Sequence, residues 1–526
     1  NIPYTAELYW LLRQQGKPIN RFSLQNLDKN LPQIVSQVNE LKQSATKGKK
    51  VFVFSTLHYW IEHTTLLSLA LASQGHQVTL GYLPFSEWRF PINQFDLRRQ
   101  NIYAKKVLEK SAGLIKTVSF ISQRAPYVPL PDDIERAVKE VSLFDSQYTE
   151  QIEDIDSNSE IYKLRYRRNR DAAQSLLAWL RKDKPDVVIV PNGTIIELGI
   201  CYRVARSLKI LTITYEFGDQ RNRFWIAQNA EIMRQDTNDM WKARQSEPLS
   251  EDQLEKVKSL MISRQKANLF ENFSRLWQGI PTQGAEKTRN NLNLDQRPIV
   301  LLATNVLGDS LTLGRQIFTK SMAEWIERTV QYFVARDDIQ LVIRVHPGEI
   351  KSRGISMVEV IHRLLPELPD HITLIKPEDK VNTYDLVEIT DIGLVYTTTV
   401  GMEMAMSGIP TIVVGETHYR NRGFTFDPDS YVNYYKILGA MLNNPAEYRL
   451  SKEKIDLAWS YAYHFFFDFP KPFPWHLVQM WEDYKNNNLL SVFSEEGVQK
   501  FGESFQNLVG KPLVWINNGN GVEKVE

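Results

Sequence analysis

Short β-branched or aromatic runs, each followed by a helical pattern and then another such run, recur in both halves of the chain, and this alternation limits the fold more than any other feature. Val51-Phe52-Val53-Phe54 is apolar throughout and bounded by polar residues, the pattern of a strand buried on both faces of a parallel sheet. Leucines and alanines at helical spacing follow from Ile61 to Ser73, stop at Gly75 and lead into Val78-Thr79-Leu80, which makes a β-α-β unit. A second unit runs from Val187-Val188-Ile189-Val190 through a helix at Leu198 to Leu208 and back along Ile210 to Tyr215. A polar, mostly helical insertion lies between them.

The pattern resumes after a charged stretch from Ser246 to Gln296 that reads as a domain junction. Ile299-Val300-Leu301-Leu302, Leu341 to Val345, Ile372 to Leu374, Ile392 to Val395 and Thr411 to Val414 are five further strands with helices between them. The expected fold class is therefore α/β, with two doubly wound parallel sheets. A chain of 526 residues suits this, since one core rarely grows beyond about 250–300 residues. The expected domains are 1–290, 291–455 and a C-terminal helical part, 456–526.

Composition narrows the function. A net charge of +1 supplies no global field for nucleic acid, so no nucleic-acid partner is expected. Cys201 is the only cysteine, which excludes an internal disulfide and a cysteine-based zinc site and fits a reducing compartment. No apolar run approaches the roughly 20 residues of a spanning helix, and no secretion signal is visible. The expected location is cytoplasmic, with the inner face of the membrane as the alternative.

The strongest local signal is the stretch from Val395 to Pro410, where a strand ends, hydroxyls cluster at Thr397, Thr398 and Thr399, and a helix starts. Such a junction aims backbone N–H groups and hydroxyls at one spot and suits a phosphate. Gly401 would let a ligand approach the backbone, and Glu403 would accept from a ribose or sugar hydroxyl. A threonine-capped helix without a ligand gives the same sequence. Arg344 and His346, in Arg344-Val345-His346-Pro347-Gly348-Glu349, fall where open α/β sheets place ligands and suit a phosphate or a base.

Taken in order, Asn305 to Asp309, Ile343 to Glu349, Thr397 to Pro410 and Gly415 to Thr425 resemble the capsule polysaccharide biosynthesis glycosyltransferases, which include the Kdo transferases. The resemblance covers about a third of the chain, all of it in the second half. It implies a GT-B fold, with two facing Rossmann-like domains and C-terminal helices crossing back onto the first. It also implies a nucleotide-sugar donor on the second domain and a glycan or glycolipid acceptor on the first, in a peripheral membrane or polysaccharide-assembly setting. The implied donor residues add Asn305, Asp309, Pro347 and Glu349 to those above. In related CMP-sugar transferases a His-Pro pair meets the nucleotide and a Ser/Thr pair its phosphate, which corresponds to His346, Pro347, Thr397 and Thr398. Thr417-His418-Tyr419 replaces more aromatic, tryptophan-containing surroundings in the capsule enzymes, so UDP- and GDP-sugars stay open beside CMP-Kdo.

An inverting transfer needs a base, which in this architecture comes from the first domain. The candidates are His58, Glu62 and His63 after the first strand, and Glu216 after Tyr215. No cofactor and no metal are expected, because Asp154-Ile155-Asp156 and Asp427-Pro428-Asp429 lie in an acidic insertion and a proline-bearing loop and read as solvated pairs. The basic, aromatic run Lys163 to Arg170 suits an anionic acceptor, a lipid phosphate, a membrane surface or, more plainly, a solvated helix face, while Tyr461 to Phe469 suits lipid contact or, in preference, packing. Three alternatives remain: a sugar-nucleotide 2-epimerase, a glycerophosphotransferase of the same fold, and a non-catalytic nucleotide-binding scaffold in polysaccharide assembly.

Overall fold

The computed structural model describes residues 4–14, 17–19, 21–121, 129–273 and 279–515. The chain forms two compact units, one of Asn1–Ser146, Ile155–Met233 and Pro470–Leu513, the other of Gln147–Asp154, Arg234–Phe469 and Val514–Glu526.

The first unit is built on β1 (Lys50–Thr56), β2 (Gln77–Leu83), β3 (Lys116–Ser119), β4 (Val187–Pro191), β5 (Leu211–Glu216) and β6 (Arg223–Gln228). Strands β3-β2-β1-β4-β5 lie in that order and pair in parallel, and β6 adds antiparallel to β5. Inner strands are buried along nearly their whole length, which explains their unbroken apolar sequence. The helix His58–Ser73 has no polar face: every residue from Trp60 to Ser73 is buried. A helix apolar all round is enclosed on every side, and this decides the fate of two candidate residues below.

The second unit contains β7 (Ile299–Ala303), β8 (Gln340–Arg344), β9 (Ile372–Ile375), β10 (Ile392–Val395) and β11 (Thr411–Val413), all parallel in the order β11-β10-β7-β8-β9. Trp325, Tyr396 and Tyr434 are among the large residues of its core. Both units are Rossmann-like: in each, the first strand lies mid-sheet and the chain winds outward to either side.

The division falls at Met233, not near 290. The polar stretch read as a junction is hydrogen-bonded into the second unit instead. Asn382 Nδ2 donates to the carbonyls of Gln265 and Ile280, both at 2.9 Å, and the Asp385 carboxylate accepts from the N–H groups of Gln283 and Gly284. At the other end, β12 (Lys471–Pro472) pairs antiparallel with β6 and attaches Pro470–Leu513 to the first unit. The helix Lys452–Tyr463 remains in the second.

The basic run is only in part a solvated face: Lys163 and Arg167 are exposed, while two of its arginines turn inward. Arg165 is fully buried, with Nε 3.1 Å from Asp145 Oδ2 and Nη2 2.8 Å from Glu197 Oε1, and both acids are buried too. Arg168 donates to the carbonyls of Glu87 and Phe90, and its guanidinium lies over the Phe85 ring. Interior carboxylates and open carbonyls attract these cations inward. Tyr461 and Phe465 are also buried, with His418 stacked on Phe465 at a centroid distance of 3.7 Å, as the packing reading expects.

Candidate active site

In open α/β sheets a ligand crevice forms outside the carboxyl ends of the two strands where the winding reverses. In the second unit those strands are β7 and β10. Thr304 and Asn305 follow β7, and Tyr396 and Thr397 follow β10. A clasp spans the crevice: Thr397 N–H donates to Asn305 Oδ1 at 3.2 Å. Beside it, His346 N–H donates to Thr304 Oγ1 at 3.1 Å, which fixes the end of β8 against the same edge.

His346 is exposed, and its Nδ1 accepts from Gly348 N–H at 3.0 Å. That bond leaves the proton of the neutral ring on Nε2. Pro347 opens the one-turn 3₁₀ helix Pro347–Lys351, for which His346 is the cap. Thr397 Oγ1 is buried without a hydrogen-bond partner among the described residues, an expensive state for a hydroxyl unless something else occupies it. The Thr398 carbonyl accepts from Tyr419 OH at 2.6 Å, and Thr399 precedes the short helix Val400–Met406 without a side-chain capping bond. Asn305, His346, Pro347, Thr397, Thr398 and Thr399 therefore gather at one edge.

Five expected donor residues are used differently. Arg344 is buried, and its guanidinium donates to the carbonyls of Lys376 at 2.6 Å and Val381 at 3.3 Å, so it braces the loop after β9 rather than facing a phosphate. Glu349 accepts from Ser356 Oγ and Met357 N–H and caps the next helix. Glu403 is buried and forms an ion pair with Arg264, Oε1 lying 2.9 Å from Nη1. Burial raises its pKa, and Arg264 opposes the rise. At Gly401, an added Cβ would lie 2.4 Å from Tyr419 OH and 2.7 Å from Val395 Cγ2, so protein packing and not a ligand requires the glycine. Asp309 Oδ1 accepts from Leu311 N–H and shapes a turn.

His418 carries no role in the sequence reading, yet it belongs near this edge. Thr417 Oγ1 donates to the Thr397 carbonyl at 3.3 Å, and His418 Nε2 is buried without a hydrogen-bond partner among the described residues. The motif Gly415 to Thr425 contains it, but nothing in that motif marks the ring as buried.

No family model matches the chain. No curated protein matches it either. Solved structures do. A KpsC β-Kdo 2,4-transferase from Thermosulfurimonas dismutans is 16% identical, with 52% of this chain and 79% of that chain covered and a TM-score of 0.35. UDP-GlcNAc 2-epimerase from Neisseria meningitidis is 13% identical over 80% of this chain and 100% of its own, with a TM-score of 0.26. The glycosyltransferase SsfS6 of Streptomyces sp. SF2575 is 10% identical over 78% and 94%, with a TM-score of 0.22. Kdo transferases, to which the motifs pointed, are thus among the structures this chain is similar to. Likenesses this loose say nothing of its ligand.

In the first unit the four base candidates separate. Glu62 Oε1 accepts from Leu27 N–H at 3.0 Å and Oε2 from Trp481 Nε1 at 2.9 Å, so it ties two segments to its helix and is not available to a substrate. His63 is 1% exposed, with Nδ1 3.1 Å from Tyr215 OH and Nε2 3.3 Å from the Trp475 carbonyl. It is a core histidine, as expected inside a helix buried all round. His58, half-buried at the helix start, has an unpartnered Nδ1, and burial lowers its pKa. Glu216 ends β5, half-buried, where Oε2 accepts from Asn192 Nδ2 at 3.0 Å and Oε1 from Phe217 N–H. Burial raises its pKa against those two bonds.

His63 yields a stability prediction. Burial pushes its pKa down from 6.5 to about 3, so the unfolded chain takes up a proton that the folded chain refuses. Its contribution is present above the unfolded value and is lost as pH falls toward the folded one. At about pH 5 the single-group loss is about 2 kcal/mol. The fall in unfolding free energy between neutral pH and about pH 5, read from denaturant titrations, should be smaller by that amount in His63→Gln than in wild type.

The two Asp-x-Asp pairs have local duties. Asp156 Oδ1 accepts from Asn158 N–H, and the Asp427 carboxylate accepts from Asn421 N–H and the Thr425 hydroxyl. The second pair is thus not simply solvated: burial raises the Asp427 pKa.

Proposed function

We propose that this chain is a glycosyltransferase of the GT-B type that takes a nucleotide sugar at the crevice between β7 and β10 and passes the sugar to a surface polysaccharide or glycolipid. The observation that carries the reading is the clasp from Thr397 N–H to Asn305 Oδ1, with the Thr397 hydroxyl buried and unpartnered and His346 exposed beside it. A hydroxyl donor and a histidine at a strand-helix junction suit the phosphate and base of a nucleotide, with CMP-Kdo, UDP-sugars and GDP-sugars as the donor classes.

In the inverting displacement that we propose, the acceptor oxygen attacks the anomeric carbon and gives its proton to a base, for which Glu216 is the candidate. The bond to the nucleotide phosphate breaks, and the negative charge left there is met by Thr397 and Thr398. No metal enters this scheme. Glu216 is preferred to His58 because its carboxylate is held at a strand end by Asn192 and has a raised pKa.

Incubation with CMP-Kdo, UDP-sugars and GDP-sugars, with and without a glycan acceptor, followed by mass spectrometry, tests the reading. Acceptor-dependent release of nucleotide with a mass gain on the glycan is the expected result. Conversion of the nucleotide sugar to its 2-epimer without acceptor would replace it with the epimerase, and binding without turnover would replace it with the scaffold.

A further inference from the structure

Both aromatic segments with a sequence pattern suited to a lipid surface, Lys163 to Arg170 and Tyr461 to Phe469, keep their key side chains inside. The apolar surface that the structure exposes lies elsewhere. The helix Thr5–Tyr9 continues as a π-helical turn over Trp10–Gln14. Tyr4, Leu8, Leu11 and Leu12 on this segment are 79%, 57%, 70% and 64% exposed. The spacing i, i+3 and i+4 of Leu8, Leu11 and Leu12 places them along one side, and Tyr4 precedes them at the helix cap.

The opposite side is fixed to the first unit. Ala6 and Trp10 are buried, the Trp10 ring tilts against Tyr103, and Tyr9 meets Phe95 edge to face. Arg99 lies over the Tyr9 ring, and Arg98 donates to Thr5 Oγ1. The stripe is therefore held outward by a packed inner face. Charge distinguishes its occupant. Arg13, Lys17 and Arg21 are exposed on or just after the segment, and Glu7 is its only acid.

We propose that this stripe seats the first unit on an anionic lipid surface, with Leu8, Leu11 and Leu12 entering the acyl boundary, Tyr4 at headgroup level and the three cations against lipid phosphates. Leucines on one side, a tyrosine at the helix cap and flanking cations form the pattern of a helix lying in a membrane interface, where buried apolar area and attraction to anionic lipid add together. No helix among the described residues is long and apolar enough to cross a membrane, so the contact is peripheral. This inference rests on the exposed stripe and not on the transferase reading.

Co-sedimentation with phosphatidylcholine vesicles, with and without phosphatidylglycerol, tests it on the full chain. Wild type should pellet with the phosphatidylglycerol vesicles, less so as salt rises. The exposed-site variant Leu8→Ser/Leu11→Ser/Leu12→Ser should bind more than about tenfold more weakly with its circular dichroism unchanged. Arg13→Glu/Arg21→Glu should lose the preference for anionic vesicles. Absence of pelleting by wild type, or equal pelleting by the triple leucine variant, would overturn the proposal. A dimer in light scattering that the leucine variant abolishes, without vesicle binding, would assign the stripe to a second copy of the chain and overturn it equally.

Discussion

Arg165→Met is expected to destabilise the first unit by about 3–5 kcal/mol, the cost of leaving buried charge without its partner. Asp145 and Glu197 both depend on this guanidinium, and Asn169 completes the network by donating to Asp145 Oδ2 at 2.7 Å. The carboxylates cannot turn to water, because Asp145 is fully buried and Glu197 is 1% exposed. Burial raises the pKa of Asp145 while Arg165 pulls it down; without the arginine, Asp145 must take up a proton or the region must open. Backbone geometry adds to the cost. Asp145 Oδ1 accepts from the N–H of Ile196, a β-branched residue held at φ +50°, a conformation that persists only where its surroundings enforce it. Ile196 lies just beyond the carboxyl end of β4, so the network also sets the loop that follows Asn192. Guanidinium chloride denaturation should show the full loss in Arg165→Met and a smaller loss in Arg165→Lys, which keeps the charge but not the fork. Recovery in the triple variant Asp145→Asn/Arg165→Met/Glu197→Gln would assign the loss to uncompensated charge and not to lost packing volume.

Glu216→Gln is expected to lower kcat by about a hundredfold or more while leaving nucleotide binding unchanged. Glutamine keeps the shape and one acceptor oxygen, so it retains either the Asn192 or the Phe217 bond and gives up the other. What is lost is a base. Because burial raises the pKa of Glu216, wild-type activity should fall as pH drops through that raised value, where the carboxylate takes up its proton. The same acidic limb should be missing from the residual activity of Glu216→Gln. A hundredfold loss with the limb still present would transfer the role to another group, with His58 first in line.

The two sheets were legible because buried parallel strands are written as largely apolar runs, unbroken at the centre of β1, β4, β7 and β8. The edges were not. Lys116–Ser119 is short and half polar, and β6 and β12 pair antiparallel across more than two hundred residues of sequence. The candidate crevice was legible for a related reason: Thr397 and His346 follow strand-like runs, and strand ends are where such sheets bind. The duties of charged residues near those ends were much less so. Arg344, Glu349, Glu403, Glu62 and the run around Arg165 all stand where a ligand contact is chemically sensible. Each has a protein partner instead, and most of those partners lie far away in sequence: Lys376 for Arg344, Arg264 for Glu403, Trp481 for Glu62 and Glu197 for Arg165. A charged side chain after a strand can turn toward a crevice or back into the body, and only the folded chain shows which.

The donor crevice is tested most directly by isothermal titration of CMP, UDP and GDP into wild type, Thr397→Val and His346→Ala. One nucleotide should bind wild type, and each variant should bind it at least about tenfold more weakly, since a lost hydrogen bond to a charged phosphate is worth about 1.5–3 kcal/mol. Failure of every nucleotide to bind a correctly folded wild type, or unchanged affinity in both variants, would contradict a nucleotide site between β7 and β10.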